Sequence, residues 1–358
     1  MRLFILLLIC VGSFFADGLL NGPLILSNVK KQINFNTLYK QISSTSIGHV
    51  DTLGTAVDIV LSQNGNLAYI ADGDFGLQII DISISNSPIV IGTLNTHVYA
   101  LSIVLSNDGT KIYLASAKNG MIVIDVVNPI NPKLIGFIDT GSFTRDIILS
   151  PNGKNIFVAD LQQGLQVVDL ATNTILARLD LEAPNKLAVS KNGKTLYIAD
   201  KKNGFIIVNV ESVSSPSVIS TLAYNEISHG LDVVALSNDE TKVFVAKHNG
   251  DFKVVDVSDS LKPTFLGTIE SYGSVGIIVS NNNEKAYMIK RGIDIQVINI
   301  SDSNNLVNIS NIKIIGNAYA LAFSNNETLM YIASDKFGLQ IIDMSTVKIL
   351  SSLNFIRN

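Results

Sequence analysis

A single serine recurs seven times at nearly constant spacing, and this rhythm restricts the chain to very few architectures. Ser62, Ser106, Ser150, Ser190, Ser237, Ser280 and Ser324 lie 44, 44, 40, 47, 43 and 44 residues apart. Two residues after each stands Asn or Asp: Asn64, Asp108, Asn152, Asn192, Asp239, Asn282 and Asn326. Seven after comes an aromatic: Tyr69, Tyr113, Phe157, Tyr197, Phe244, Tyr287 and Tyr331. Nineteen after comes Asp or Asn again, from Asp81 in the first unit to Asp343 in the last. The first and last units even share the phrases ADGDFGLQIIDIS (71–83) and ASDKFGLQIIDMS (333–345). These offsets need no gaps, so the length variation falls between units.

Each unit reads as four short strands, in the first AVDIVLS, LAYIAD, LQIID and PIVIGTL, separated by Gly, Asn, Ser and Pro. The apolar runs are too short for helices and suit strands buried on both faces. A four-stranded sheet repeated every 40–45 residues implies an all-β fold, a seven-bladed β-propeller of four-stranded antiparallel blades. The recurring aromatics fill the space between blades, and the Asp or Asn at +19 caps the next turn through its side-chain oxygen. Gly65, Gly109, Gly153 and Gly193 follow the +2 residue in the first four units, as a tight turn with positive φ requires. Glu240, Asn283 and Glu327 stand there in the last three, which predicts a different turn type.

The phrases GLQIIDISISNSPIVIGTL, GLQVVDL and DFKVVDVSDSLKPTFLGTI resemble the LVIVD-repeat family of β-propellers, over about Ile47 to the C-terminus. LSPNGKNIFVAD and VSKNGKTLYIAD are similar to the related YVTN-type propeller repeats. WD-type repeats fit less well, because the chain has no Trp. The LVIVD resemblance implies an extracytoplasmic or surface-located propeller and supplies no catalytic residues to carry over. Some YVTN-like propellers are lactone hydrolases, which keeps an enzyme with its site at the channel mouth as an alternative.

Hydrophobic residues make up 47% and charged ones 16%, against disorder. With Lys+Arg 26 and Asp+Glu 30 the net charge is −4, so there is no global basic footprint for nucleic acid. Arg2 followed by the apolar run Leu3–Val11 is short for a membrane span. It fits a signal peptide over 1–16, then a loosely structured segment over 17–46 and the propeller over 47–358. A buried strand or an uncleaved anchor are the other readings of that run. The sole cysteine is Cys10, so a cleaved chain holds no disulfide and no thiol nucleophile.

Chemistry-bearing residues are sparse. No phosphate loop, nucleophile elbow or Cys/His cluster is present, and no catalytic residue, metal site or cofactor is expected. His97, His229 and His248 are predicted on one face, too dispersed to ligate a metal together. Asp58 with Asp72, and Asp146 with Asp160, are expected to meet at the top of a hairpin as a weak cation or ligand rim. Lys201 and Lys202, Lys247 and His248, and Lys290 and Arg291 occupy the second-to-third-strand loops of three consecutive blades. They predict one basic arc facing loops that carry Asp72, Asp74 and Asp160 in blades one and three, a place for an anionic partner. Solvated loop tips are the plainer explanation of the same lysines. Asn299, Asn308 and Asn326 begin glycosylation sequons, and Asn308, in an irregular connection, is the best placed. The C-terminal STVKILSSLNFI matches ATNTILARLDL, so residues 346–358 are expected to complete blade seven. Ile47–Gly54 would then lead into blade one as a connection or outer strand. The functional expectation is a monomeric, secreted or surface-exposed binding scaffold for a protein or an acidic glycan or lipid. A lactonase-type hydrolase and a structural assembly module are the alternatives.

Overall fold

The repeat serine organises every blade through hydrogen bonds. Ser62 Oγ donates to Asn64 Oδ1 (2.7 Å) and accepts from the N–H of Leu67 (2.9 Å). The same two bonds recur at Ser106, Ser150, Ser190, Ser237, Ser280 and Ser324. The residue three after the serine donates its N–H back to the serine carbonyl in all seven units, at 2.8–3.0 Å. Glu240, Asn283 and Glu327 adopt φ of 60°, 58° and 55° there, beside 69–71° for the four glycines. The turn is therefore the same in every blade, and the expectation of a different type in the last three is corrected. Their side chains explain the tolerance of a left-handed backbone: each reaches the preceding blade. Glu327 Oε1 accepts from the N–H of Asn281 (2.7 Å), Asn283 Oδ1 from that of Asn238 (2.7 Å), and Glu240 Oε1 from that of Lys191.

The computed structural model describes residues 46–117, 120–223, 230–292 and 294–347. These form 28 strands in seven four-stranded antiparallel sheets, with one 3₁₀ turn at Met344–Thr346 as their only helix. Blade one shows the plan, running outward from β2 (Asp58–Leu61) through β3 (Leu67–Ala71) and β4 (Leu77–Asp81) to β5 (Ile89–Leu94). The innermost strands of the next six blades are β6 (Ala100–Leu105), β10 (Thr144–Leu149), β14 (Pro184–Val189), β18 (Val233–Leu236), β22 (Ser274–Val279) and β26 (Ala320–Phe323). Each lies against the next, and β26 lies against β2, so the ring is closed.

The two middle strands of each blade are buried on both faces, which is why they read as unbroken apolar runs. The repeated aromatics pack between blades, as expected: Tyr69 against Ile103 and Ile122 of blade two, Phe157 against Leu187 and Ile206 of blade four. Tyr331 does the same across the closure, against Ala56 and Ile70. Each such side chain contributes about 2–3 kcal/mol by leaving water. The +19 Asp or Asn accepts the N–H two residues on in every blade, as at Asp81–Ser83 (2.9 Å) and Asn209–Glu211 (2.9 Å).

Closure differs from the expectation. The outer place in blade seven is taken by β1 (Ser46–Val50), which pairs antiparallel with β28 (Leu339–Asp343). The fit against the neighbouring blade is close. A Cβ on Gly48 would lie 1.9 Å from the carbonyl oxygen of Ser85 in blade one. The glycines of the outer strands β5 (Gly92) and β21 (Thr264–Tyr272; Gly267) sit equally close to the carbonyls of Pro129 and Ser303 in the following blades, at 1.9 and 2.2 Å. The I-G of SIGHV thus matches the I-G of PIVIGTL and the L-G of TFLGTI in two other outer strands. Residues 1–45 and 348–358 lie outside the described residues, which leaves the signal peptide and N-terminal segment there, Ser46 excepted. Among the described residues no helix is long and apolar enough to cross a membrane.

Candidate functional site

Each blade presents one side chain, on its inner strand or just before it and five residues before the repeat serine, to the mouth of the central channel. Around the ring these are Val57, Leu101, Arg145, Asn185, Asp232, Val275 and Tyr319. Eleven after the serine, where the second strand turns into the third, Lys201, His248 and Arg291 reach the same mouth from blades four to six. Tyr99, Lys186, Gly230, Lys247 and Ser274 complete its wall, and the cavity volume is about 660 Å³. Inter-blade connections and second-to-third-strand hairpins share this face, so loops far apart in sequence converge here.

The polar groups are held in a network. Lys201 Nζ lies 3.3 Å from Asp232 Oδ1, whose other oxygen accepts the N–H of His248 (2.8 Å). Arg145 Nε donates to Asn185 Oδ1 (3.1 Å), and its guanidinium lies over the Phe143 ring at 5.7 Å. Burial lowers the Arg145 pKa below the usual guanidinium range, against the opposing pull of Asp232 and Asp146. Lys247 is only 7% exposed.

Deeper in the channel, a cavity of about 230 Å³ has Asp58, Asp146 and Lys186 on one side and Val233, Gly276 and Ala320 on the other. Asp146 accepts from Lys186 Nζ (2.8 Å), Ser102 Oγ (3.0 Å) and the N–H of Leu187 (2.9 Å). Asp58 accepts from the N–H groups of Ile103 (3.0 Å) and Ile59 (2.9 Å). Burial raises the Asp58 pKa above the ordinary carboxylate value, opposed by the charge of Lys186. Burial also opposes charge on Lys186, but Asp146 and Asp58 outweigh it and raise its pKa.

The expected carboxylate pairs are not formed. Asp58 and Asp146 face the channel, whereas Asp72 and Asp160 are fully buried and tie hairpins to the inter-blade connections. Asp72 accepts from Thr52 Oγ1 (2.6 Å) and the N–H of Gly54 (2.8 Å). Asp160 accepts from Thr140 and Ser142 hydroxyls (3.1 and 2.5 Å). A register shift between Thr144 and Asp146 turns the Asp146 side chain away from Asp160.

The residues of the expected basic arc are divided between the mouth and the outer surface. Lys201, Lys247, His248 and Arg291 line the mouth, but Lys202 points outward and pairs with Glu182 (3.1 Å). Lys290 is not among the lining residues. The lysine pairs are out of step by one residue: Lys247 and Lys290 align with Asp200, ten after the serine, while Lys201 aligns with His248 and Arg291. Arg145, Asn185, Lys186, Asp232, Tyr99 and Tyr319 were not anticipated as site residues. For Arg145, Asn185, Asp232 and Tyr319 the signal is a polar or aromatic residue five before the serine, where other blades carry Val or Leu; Lys186 and Tyr99 lie at other offsets, where the blades share no residue type.

Away from the mouth, His97 is exposed with φ of 56°, and His229 lies outside the described residues. Exposed Asp74 sits at a blade-one loop tip. Asn308 is exposed on β25 (Val307–Lys313), while Asn299 and Asn326 are engaged in turns with Ser301 and Thr328. The outer strand β9 (Lys133–Ile138) leaves Leu134, Ile135 and Phe137 more than half exposed. Among the described residues no group of three or more His, Cys, Asp or Glu is placed to hold a metal.

Comparison with known proteins agrees with this architecture. The LVIVD repeat model matches residues 53–96, 100–140, 186–223 and 241–271. No curated protein matches the chain. Among solved structures, Kuenenia stuttgartiensis hydrazine synthase is similar in fold, with TM-score 0.69 and 17% identity, over 84% of this chain and 98% of that one. With these repeats set in a closed seven-bladed ring, the chain is a seven-bladed β-propeller that carries four recognisable LVIVD repeats.

Proposed function

We propose that this protein is a secreted or surface-exposed binding propeller that takes an anionic group at its channel mouth. The observation that carries the reading is the convergence of Arg145, Lys201, Lys247 and Arg291, from four consecutive blades, on one concave site of about 660 Å³. Like charges brought together on an otherwise acidic chain focus positive potential in a cleft, and such a cleft concentrates anions. Asp232 pairs with Lys201 within the same mouth. The apolar run Leu3–Val11 after Arg2 supports export. The test is binding of inorganic sulfate and of arrayed acidic glycans and lipids, at low and at high salt. A salt-sensitive signal that Lys201→Glu with Arg291→Glu abolishes supports the reading; absence of any signal at low salt rejects it.

A lactonase-type hydrolase is the second reading, favoured by acidic and basic groups from several blades in the channel. Asp58, with its raised pKa, is its candidate acid. Asp146 already has three donors, which suits a structural role and ranks binding first. Lactone turnover that is lost in Asp58→Asn would reverse that ranking. The exposed apolar residues of β9 support an assembly role on the outer wall, independent of the mouth.

A further inference from the structure

The mouth has two unlike halves. Blades three to six supply Arg145, Asn185, Lys201, Asp232 and Arg291 beside one apolar residue, Val275, whereas blades seven, one and two supply Tyr319, Val57, Leu101 and Tyr99. A small inorganic anion would use only the first half. A fatty acid would use the second, but would lay hydrocarbon against the Lys201–Asp232 ion pair, and taking such a pair out of water is costly. Asp232 is the discriminating residue: a carboxylate among cations repels a simple anion, yet it is a strong acceptor for hydroxyl groups. Burial raises the pKa of Tyr99, so its hydroxyl stays protonated and can donate.

We propose that the ligand is an acidic sugar, a pyranose bearing a carboxylate, held with its carboxylate toward Lys201 and Arg291 and the apolar face of its ring on Tyr319 and Tyr99. This rests on the reading of the mouth as an anion site. A sugar ring has one face of C–H groups suited to a flat apolar surface and an edge of hydroxyls that needs donors and acceptors. Tyrosine supplies such a surface with little side-chain entropy to lose. The volume of about 660 Å³ accommodates a short saccharide and falls within the usual span for small-ligand sites.

The experiment is calorimetric titration at low salt with D-glucuronate, D-glucose, benzoate, acetate and sulfate, on the full chain and on variants checked by thermal melting. Glucuronate is expected to bind about tenfold more tightly than acetate or sulfate, and glucose and benzoate weakly. Tyr99→Ala and Tyr319→Ala should each weaken glucuronate about tenfold while changing sulfate less than about twofold, as expected for loss of a stacking face. Tyr99→Phe and Tyr319→Phe, which keep the ring, should retain most of the affinity, and Arg291→Glu should weaken glucuronate and sulfate together. If sulfate and acetate bind as well as glucuronate and the tyrosine variants change nothing, the sugar assignment is wrong while the anion site stands. Benzoate binding more tightly than glucuronate likewise overturns the sugar. If no anion binds, or glucose binds as well as glucuronate, the anion reading itself falls.

Discussion

Lys186 and Asp146 meet across the boundary between blades four and three, Nζ 2.8 Å from Oδ1, in the wall of the channel. The lysine side chain is 34% exposed to the channel and the aspartate 7%. Because Asp146 also holds Ser102 and the N–H of Leu187, removing it orphans three donors, whereas removing the lysine leaves one carboxylate with two partners. Lys186→Met should cost about 2 kcal/mol, the low side for a broken buried pair, because the channel is partly open to water. Asp146→Ala should cost more, about 3–4 kcal/mol. Urea unfolding measures both; equal losses would show that the pair acts only through its charge.

Closure through β1 makes Gly48 a specific weak point. An added methyl would drive into the Ser85 carbonyl, so β1 must shift away from blade one. Gly48→Ala is expected to destabilise by about 2 kcal/mol, typical of overpacking. Removing residues 1–50 leaves β28 as an open edge, and a lower melting temperature with aggregation should follow. Retention of the wild-type melt in that truncation would show that β1 is dispensable.

Glu327 combines a left-handed backbone with a bond to the Asn281 N–H in the neighbouring blade. Glu327→Gly relieves strain of about 1 kcal/mol and loses a bond of similar worth, so stability should barely move. Glu327→Ala loses the bond and keeps the strain, and should cost about 1–2 kcal/mol. The difference between the two variants, read from chemical denaturation, isolates the backbone contribution.

Acid should loosen the turns that use Asp. The Ser106 hydroxyl, with Thr110, holds the Asp108 pKa down to about 2, and the Ser237 hydroxyl lowers that of Asp239. A carboxylate whose folded pKa is depressed adds stability above its unfolded value of 3.8, and this is lost as pH falls toward the folded value. Both side chains are near the surface, so solvent screening keeps each effect small. Asn occupies the same position in five blades, so Asp108→Asn with Asp239→Asn should fold normally and flatten stability between about pH 4 and 2. Melting temperatures across that window provide the check.

Much of this molecule is written in local chemistry. Ser, Asn and Gly within four residues specify a turn by their own hydrogen bonds, and an Asp at +19 caps its own loop. Unbroken apolar runs of about five residues specify strands buried on both faces. Repeated seven times, units that cannot cover their own sheets must stack, so fold class and blade number follow from the amino-acid order alone. The tertiary structure decided whatever depends on a neighbour some 40 residues away or more. Glu240, Asn283 and Glu327 read as breaks in the turn pattern because their partners lie on the preceding blade. SIGHV holds the outer place in blade seven with Gly48 close under a carbonyl of blade one, an approach that depends on the neighbouring blade. Asp58 and Asp146 parted from Asp72 and Asp160 because side-chain direction at an inner strand follows register. The channel mouth is assembled from single side chains of seven blades, and only ring closure brings Arg145, Lys201, Arg291, Tyr99 and Tyr319 to one place.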